Sequence, residues 1–123
     1  MLLNLTPHPV KIVSDDQVVT IQPSGWVARV KVDYRPVETD LGVPVVQATF
    51  GEVEVSNGSE TMPFEAFVRH HASESRGVIV SRVVAQALPK GLGINLFVPA
   101  TGPGFAVRDA DGRIQGVKAL EIV

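Results

Sequence analysis

The stretch Arg76-Gly-Val-Ile-Val-Ser-Arg-Val-Val-Ala-Gln-Ala-Leu-Pro89 decides how the rest of this chain is read. Residues 78–80 are an uninterrupted apolar run, as expected of a short buried strand. Ser81 and Arg82 form a polar junction, and an apolar helical segment then runs until Pro89 stops it. A strand that feeds straight into a helix leaves free backbone N–H groups at the helix start, where an anion is favoured. Ser81 is a good N-cap, and Arg82 places a fixed positive charge beside it. Beyond Pro89, Gly91-Leu-Gly-Ile-Asn-Leu-Phe-Val-Pro99 is another short apolar run. Residues 77–99 therefore read as a strand–helix–strand unit.

The flanks read as strands. Residues 2–5 are apolar and end at Thr6-Pro-His-Pro9, where two prolines one residue apart forbid a helix. Residues 10–13 and 18–21 make a hairpin about Ser14-Asp-Asp-Gln17. Residues 26–32 alternate, with Trp26, Ala28, Val30 and Val32 on one side and Val27, Arg29 and Lys31 on the other. After Asp33-Tyr-Arg-Pro36 the polar turn Thr39-Asp-Leu-Gly42 leads into extended runs at 43–46 and 48–55, where Gly51 suggests a bulge or close packing. Ser56-Asn-Gly-Ser-Glu60 is the most loop-like tract; residues 62–71 allow a short helix ended by Ser73-Glu-Ser-Arg76. Residues 56–76 are thus expected as a loop–helix insertion on the surface or at a subunit contact. Asp109-Ala-Asp-Gly112 marks a C-terminal hairpin. The expected fold is a strand-rich α+β single domain over residues 1–123, the strand–helix–strand unit being flanked by β-hairpins.

Composition limits the functions available. The 123 residues are enough for one core. Hydrophobic residues make up 45% and aromatics only 6%, so Val, Ile, Leu and Ala must build that core, which favours strands. A formal net charge of −2 offers no basic field for non-specific nucleic-acid binding. With no cysteine there are no disulfides, thiol nucleophiles or thiolate metal sites. No apolar run approaches the ~20 residues of a membrane span, and Met-Leu-Leu-Asn-Leu-Thr-Pro7 lacks the features of a signal peptide. The expectation is a cytoplasmic protein without membrane contact.

Three junctions share one rim if the strands before them are parallel neighbours: Asn4-Leu-Thr-Pro-His8, Ser81-Arg82 and Pro99-Ala-Thr-Gly-Pro-Gly104. That rim would offer Asn4, Thr6, His8, Ser81, Arg82 and Thr101, with Gly102 admitting a ligand to the backbone. The set suits a phosphate-bearing molecule. The plainer alternative is that these tracts are only turns. His8, held between prolines, fits a general acid/base or a phosphate contact as well as a structural hydrogen bond. His70 and His71 are adjacent, point about 100° apart on a helix, and make a poor chelate, so no metal and no cofactor is expected. Arg29, Arg35, Arg108 and Arg113 read as surface charges, Arg29 also as a group that could reach a site across a subunit boundary.

Several tracts together resemble a family of small uncharacterised phage and bacterial proteins. They are Asn4-Leu-Thr-Pro-His-Pro-Val10, Pro23-Ser-Gly25 with Ala28-Arg-Val30, Phe50-Gly-Glu-Val53, Ile79-Val-Ser-Arg-Val-Val-Ala85 and Val107-Arg-Asp-Ala-Asp-Gly-Arg-Ile114 with Gly116-Val117. The resemblance spans most of the chain outside 56–76; it implies shared ancestry and supplies no mechanism. In layout alone the chain is also similar to small viral proteins that capture or cleave cyclic nucleotide signals of host immunity. The leading expectation is a homo-oligomer of phage type, working in the host cytoplasm, that sequesters a phosphate-bearing molecule such as a nucleotide immune signal. The alternatives are a metal-independent phosphodiesterase using His8 with Arg82 stabilising charge, and a structural or protein-interaction module without a small ligand.

Overall fold

The computed structural model describes residues 2–72 and 75–123; Ser73 and Glu74, where the sequence places the end of the first helix, lie outside the described residues. Three β-sheets and two short helices make up the fold. The first sheet has the order β1 (Leu2–Asn4), β7 (Gly77–Ile79), β8 (Asn95–Pro99), β11 (Leu120–Ile122). β1 runs parallel to β7 and β7 parallel to β8, with Asn4 beside Ile79 and Ile79 beside Phe97, while β11 is antiparallel to β8. Parallel strands need both faces covered, and all three residues of β7 are buried. Gly77 permits this close fit, since a Cβ there would come within 2.5 Å of the Phe97 ring.

A second sheet joins β3 (Gln17–Ile21), β2 (Val10–Ser14), β10 (Ile114–Val117) and β9 (Ala106–Arg108) in that order. Both expected hairpins are in it. The later one turns at Gly112, whose φ of +79° favours glycine, and the Asp109 N–H donates to the Arg113 carbonyl at 2.8 Å. The third sheet is β4 (Val27–Val37), β5 (Val45–Ser56) and β6 (Thr61–Pro63), antiparallel throughout. A register shift opposes Gly51 and Glu52 to Lys31, a bulge, which is one of the two readings that Gly51 allows.

The helix α2 (Arg82–Ala87) follows β7 and leads to β8, as the opening stretch predicts. The helix α1 (Phe64–His71) departs from expectation. Phe64 and Phe67 are buried in the main core with Val78, Val84 and Val98, so the inner side of α1 belongs to the core, while the loop at 57–60 is exposed as expected. The sequence pattern misleads here because α1 has only two such residues on its inner side, one turn apart, and a helix this short shows little periodicity. Asp33-Tyr-Arg-Pro36, beyond the alternating run at 26–32, continues β4, because β5 pairs with it residue for residue, Asp33 to Thr49 through Val37 to Val45.

Candidate functional site

The three chain exits leave the same edge of the first sheet. Past β1, the Leu5 N–H donates to the Ile79 carbonyl at 2.8 Å; past β7, the Val80 N–H donates to the Phe97 carbonyl at 2.9 Å. Residues 5–6, 80–81 and 100–101 therefore emerge side by side, the outer two about 10 Å apart at ordinary strand spacing.

Asn4 is 1% exposed, and every polar position of its side chain is engaged. Nδ2 donates to the carbonyls of His8 (2.8 Å) and Ile21 (3.1 Å). Oδ1 accepts from the Thr6 N–H (3.0 Å) and the Thr6 hydroxyl (2.6 Å). An amide has two donors and two lone pairs, so none remains for a ligand. The Asn4 backbone carbonyl in turn accepts the N–H (3.0 Å) and hydroxyl (2.8 Å) of Ser24. The Asn4-Leu-Thr-Pro-His8 motif is a clasp: it closes the β1 exit on itself and ties it to the end of β3 and to the 23–25 turn. Ser24 is the partner that sequence reasoning missed, its only signal being the Pro-Ser-Gly turn.

The His8 side chain is exposed, and only its backbone carbonyl takes part in the clasp. Ser81 caps α2 as predicted, its hydroxyl oxygen accepting the Val84 N–H at 3.3 Å. Arg82 is held elsewhere. Its guanidinium donates to Glu121 through Nη2–Oε1 (2.9 Å) and Nη1–Oε2 (3.4 Å), linking α2 to β11. The hydrogen bond from Arg82, and then its charge, hold the Glu121 carboxyl below the ordinary carboxylate value and raise Arg82 in return. Glu121 stands 39 positions away in sequence, and no local signal announces it.

A folded value below the unfolded one means that this pair contributes stability above the ordinary glutamate range and loses it as pH falls through the folded value. Both side chains are about half exposed, so salt screens the pair strongly. NMR titration of the Glu121 carboxyl is expected to show a midpoint below that of ordinary glutamate, moving up toward it in high salt and in Arg82→Gln. An unchanged midpoint in Arg82→Gln would refute the assignment.

Two clefts flank this edge. One, of about 330 Å³, is lined by Leu5, Thr6, Pro7, residues 27–30, Ser81, Val83 and Val84. The other, of about 300 Å³, is lined by Ala100, Gly102, Pro103, Phe105 and residues 119–121. Of the predicted site residues, Thr6 and Ser81 share the first cleft and Gly102 lines the second. Asn4, His8, Arg82 and Thr101 line neither. Arg29 joins the first cleft and has no ion-pair partner among the described residues. Among those residues no group of three His, Asp or Glu could hold a metal ion, and no helix is long and apolar enough to cross a membrane. No family model matches the chain, nor does any curated protein or solved structure.

Proposed function

We propose that the cleft between the β1 exit, β4 and α2 binds a small phosphate-bearing molecule, with a nucleotide as the best fit. The observation that carries this reading is the meeting of Thr6, Ser81 and Arg29 around one cleft of about 330 Å³, within the ~300–1,000 Å³ common for ligand pockets. Arg29 supplies a cation that, unlike Arg82, is in no ion pair within 4.0 Å among the described residues, although Glu54 stands opposite it on β5. Ser81 uses an oxygen lone pair for its cap and keeps its O–H to donate to phosphate. The Thr6 proton goes to Asn4, so Thr6 offers a lone pair and suits a ligand hydroxyl such as that of a ribose. Val27, Val30 and Val83 give an apolar wall for a base.

In the same reading the chain is a phage-type homo-oligomer that sequesters a nucleotide immune signal in the host cytoplasm. Capture is preferred to turnover because His8, the candidate acid/base, is not among the residues lining the cleft. Isothermal titration against inorganic phosphate and a panel of linear and cyclic nucleotides tests the proposal. At least one nucleotide is expected to bind and to be recovered intact after denaturation. Arg29→Ala should weaken it about 10- to 100-fold, the range for losing a hydrogen bond to a charged group, with the melting transition unchanged. No heat from any member at high micromolar concentration would remove the reading. The interaction-module alternative is favoured by a separate observation, the arm formed by β4 and β5.

A further inference from the structure

The β4–β5 hairpin extends well past the body. Strands of 11 and 12 residues pair along their length, yet burial in the core stops near Val30 and Val53. Along the paired strands the core-facing side carries Ala28 with Val55 and Val30 with Val53. Beyond the bulge the same side continues as Val32 with Phe50, Tyr34 with Ala48 and Pro36 with Val46. It is apolar at every position. The reverse side carries Lys31, Asp33, Arg35, Gln47 and Thr49, then Val37 with Val45 next to the tip; Lys31 and Asp33 are 3.9 Å apart. This is the pattern of a sheet with one buried and one wetted face, except that nothing in the described chain covers the buried-type face: Tyr34 is 66%, Val46 57% and Phe50 43% exposed. Six of the thirteen exposed large apolar residues fall between positions 34 and 50. An isolated two-stranded ribbon is marginal in water, so this one needs a partner.

We propose that this overhanging apolar face is the contact surface of a homodimer, packed against the same face of a second copy. The paired positions of this face, Val32 with Phe50, Tyr34 with Ala48 and Pro36 with Val46, carry no charge, and the acidic Glu38 and Asp40 lie beyond them at the tip. Two copies can therefore meet across a two-fold axis over the paired positions without burying like charges. Edge pairing is disfavoured on both strands. Pro36 lies within β4 and Pro44 immediately before β5, and proline cannot donate to an added ladder. The contact is therefore face to face, with the ribbons stacked about 10 Å apart. With the tip residues Leu41 and Val43, each arm presents on the order of 500 Å² of apolar surface. Two such faces reach about 1,000 Å², the size at which specific interfaces begin.

The proposal names the surface that the homo-oligomer part of the functional reading requires, and it stands apart from the ligand: a failed nucleotide titration leaves it intact. Its test is sedimentation equilibrium of the full chain over the micromolar range. The expected mass is twice the 13.2 kDa of one chain. The double substitution Tyr34→Glu with Val46→Glu should return it to 13.2 kDa, with association weakened at least ~100-fold by the buried charges. Arg35→Glu on the reverse face should leave the dimer intact. Amide exchange across residues 32–50 gives a second readout that needs no variant: protection should rise with protein concentration in the native chain. A native chain that remains at 13.2 kDa overturns the proposal. So does a dimer that survives the double substitution, or arm protection independent of concentration.

Discussion

Asn4→Leu is expected to lower the unfolding free energy by about 3 kcal/mol. Leucine keeps the branching of asparagine, though it is bulkier, but cannot serve the His8 and Ile21 carbonyls or the Thr6 N–H and hydroxyl that Asn4 now pairs. Each buried group left alone costs about 1–3 kcal/mol, and the loss is reduced where water reaches the exposed His8 segment. Thr6→Val removes one of these bonds at a half-buried position and should cost only about 1 kcal/mol. Asn4→Asp adds a pH signature. Its carboxylate would face two carbonyl oxygens, which raises its folded pKa above the unfolded value. By linkage the folded state then binds more protons, and stability falls as pH rises above about 3.9. Urea unfolding at several pH values measures all three variants. A loss below about 1 kcal/mol for Asn4→Leu would show that the clasp contributes little.

Phe67→Ala is the second large effect, about 3–5 kcal/mol. Phe67 is 0% exposed, and its ring centroid lies 5.3 Å from that of Trp26 and 5.5 Å from that of His71. Truncation removes the apolar transfer energy, leaves a cavity between α1 and the third sheet, and ends two ring contacts that each contribute about 0.5–1.5 kcal/mol. Trp26 is the only tryptophan, so its fluorescence reports both the local change and global unfolding. If residues 56–76 were a dispensable insertion, Phe67→Ala would leave the transition near that of the native chain. The packing of α1 against Val55 and the rest of the core predicts otherwise.

The rim was partly legible before the structure. Thr6 and Ser81 could be named because a proline-bounded strand exit and a serine helix cap are local signals, and both line the cleft. Asn4 has the same local signals as a ligand-binding residue, and only the carbonyl of Ile21, 17 positions away, shows it to be internal. Arg82 and Arg29 exchange roles for a similar reason. Glu121 reaches Arg82 through the β8–β11 pairing, while β4 lies along the β1 exit through the Ala28 N–H bond to the Leu5 carbonyl (2.9 Å) and brings Arg29 into the cleft.

By itself the sequence determined the elements whose causes are short-range: the β7–α2–β8 unit with its Ser81 cap and Pro89 stop, and the two tight hairpins. Backbone preference, capping and alternation act over a few residues, and those residues are present in the string. Tertiary structure decided which strands are neighbours, that α1 belongs to the core, and that β4 and β5 form one long arm whose apolar side runs past the body. These depend on pairings between distant segments, whose free energy arises only when the segments meet; Asp33-Tyr-Arg-Pro36, beyond the alternating run at 26–32, is strand because β5 lies beside it.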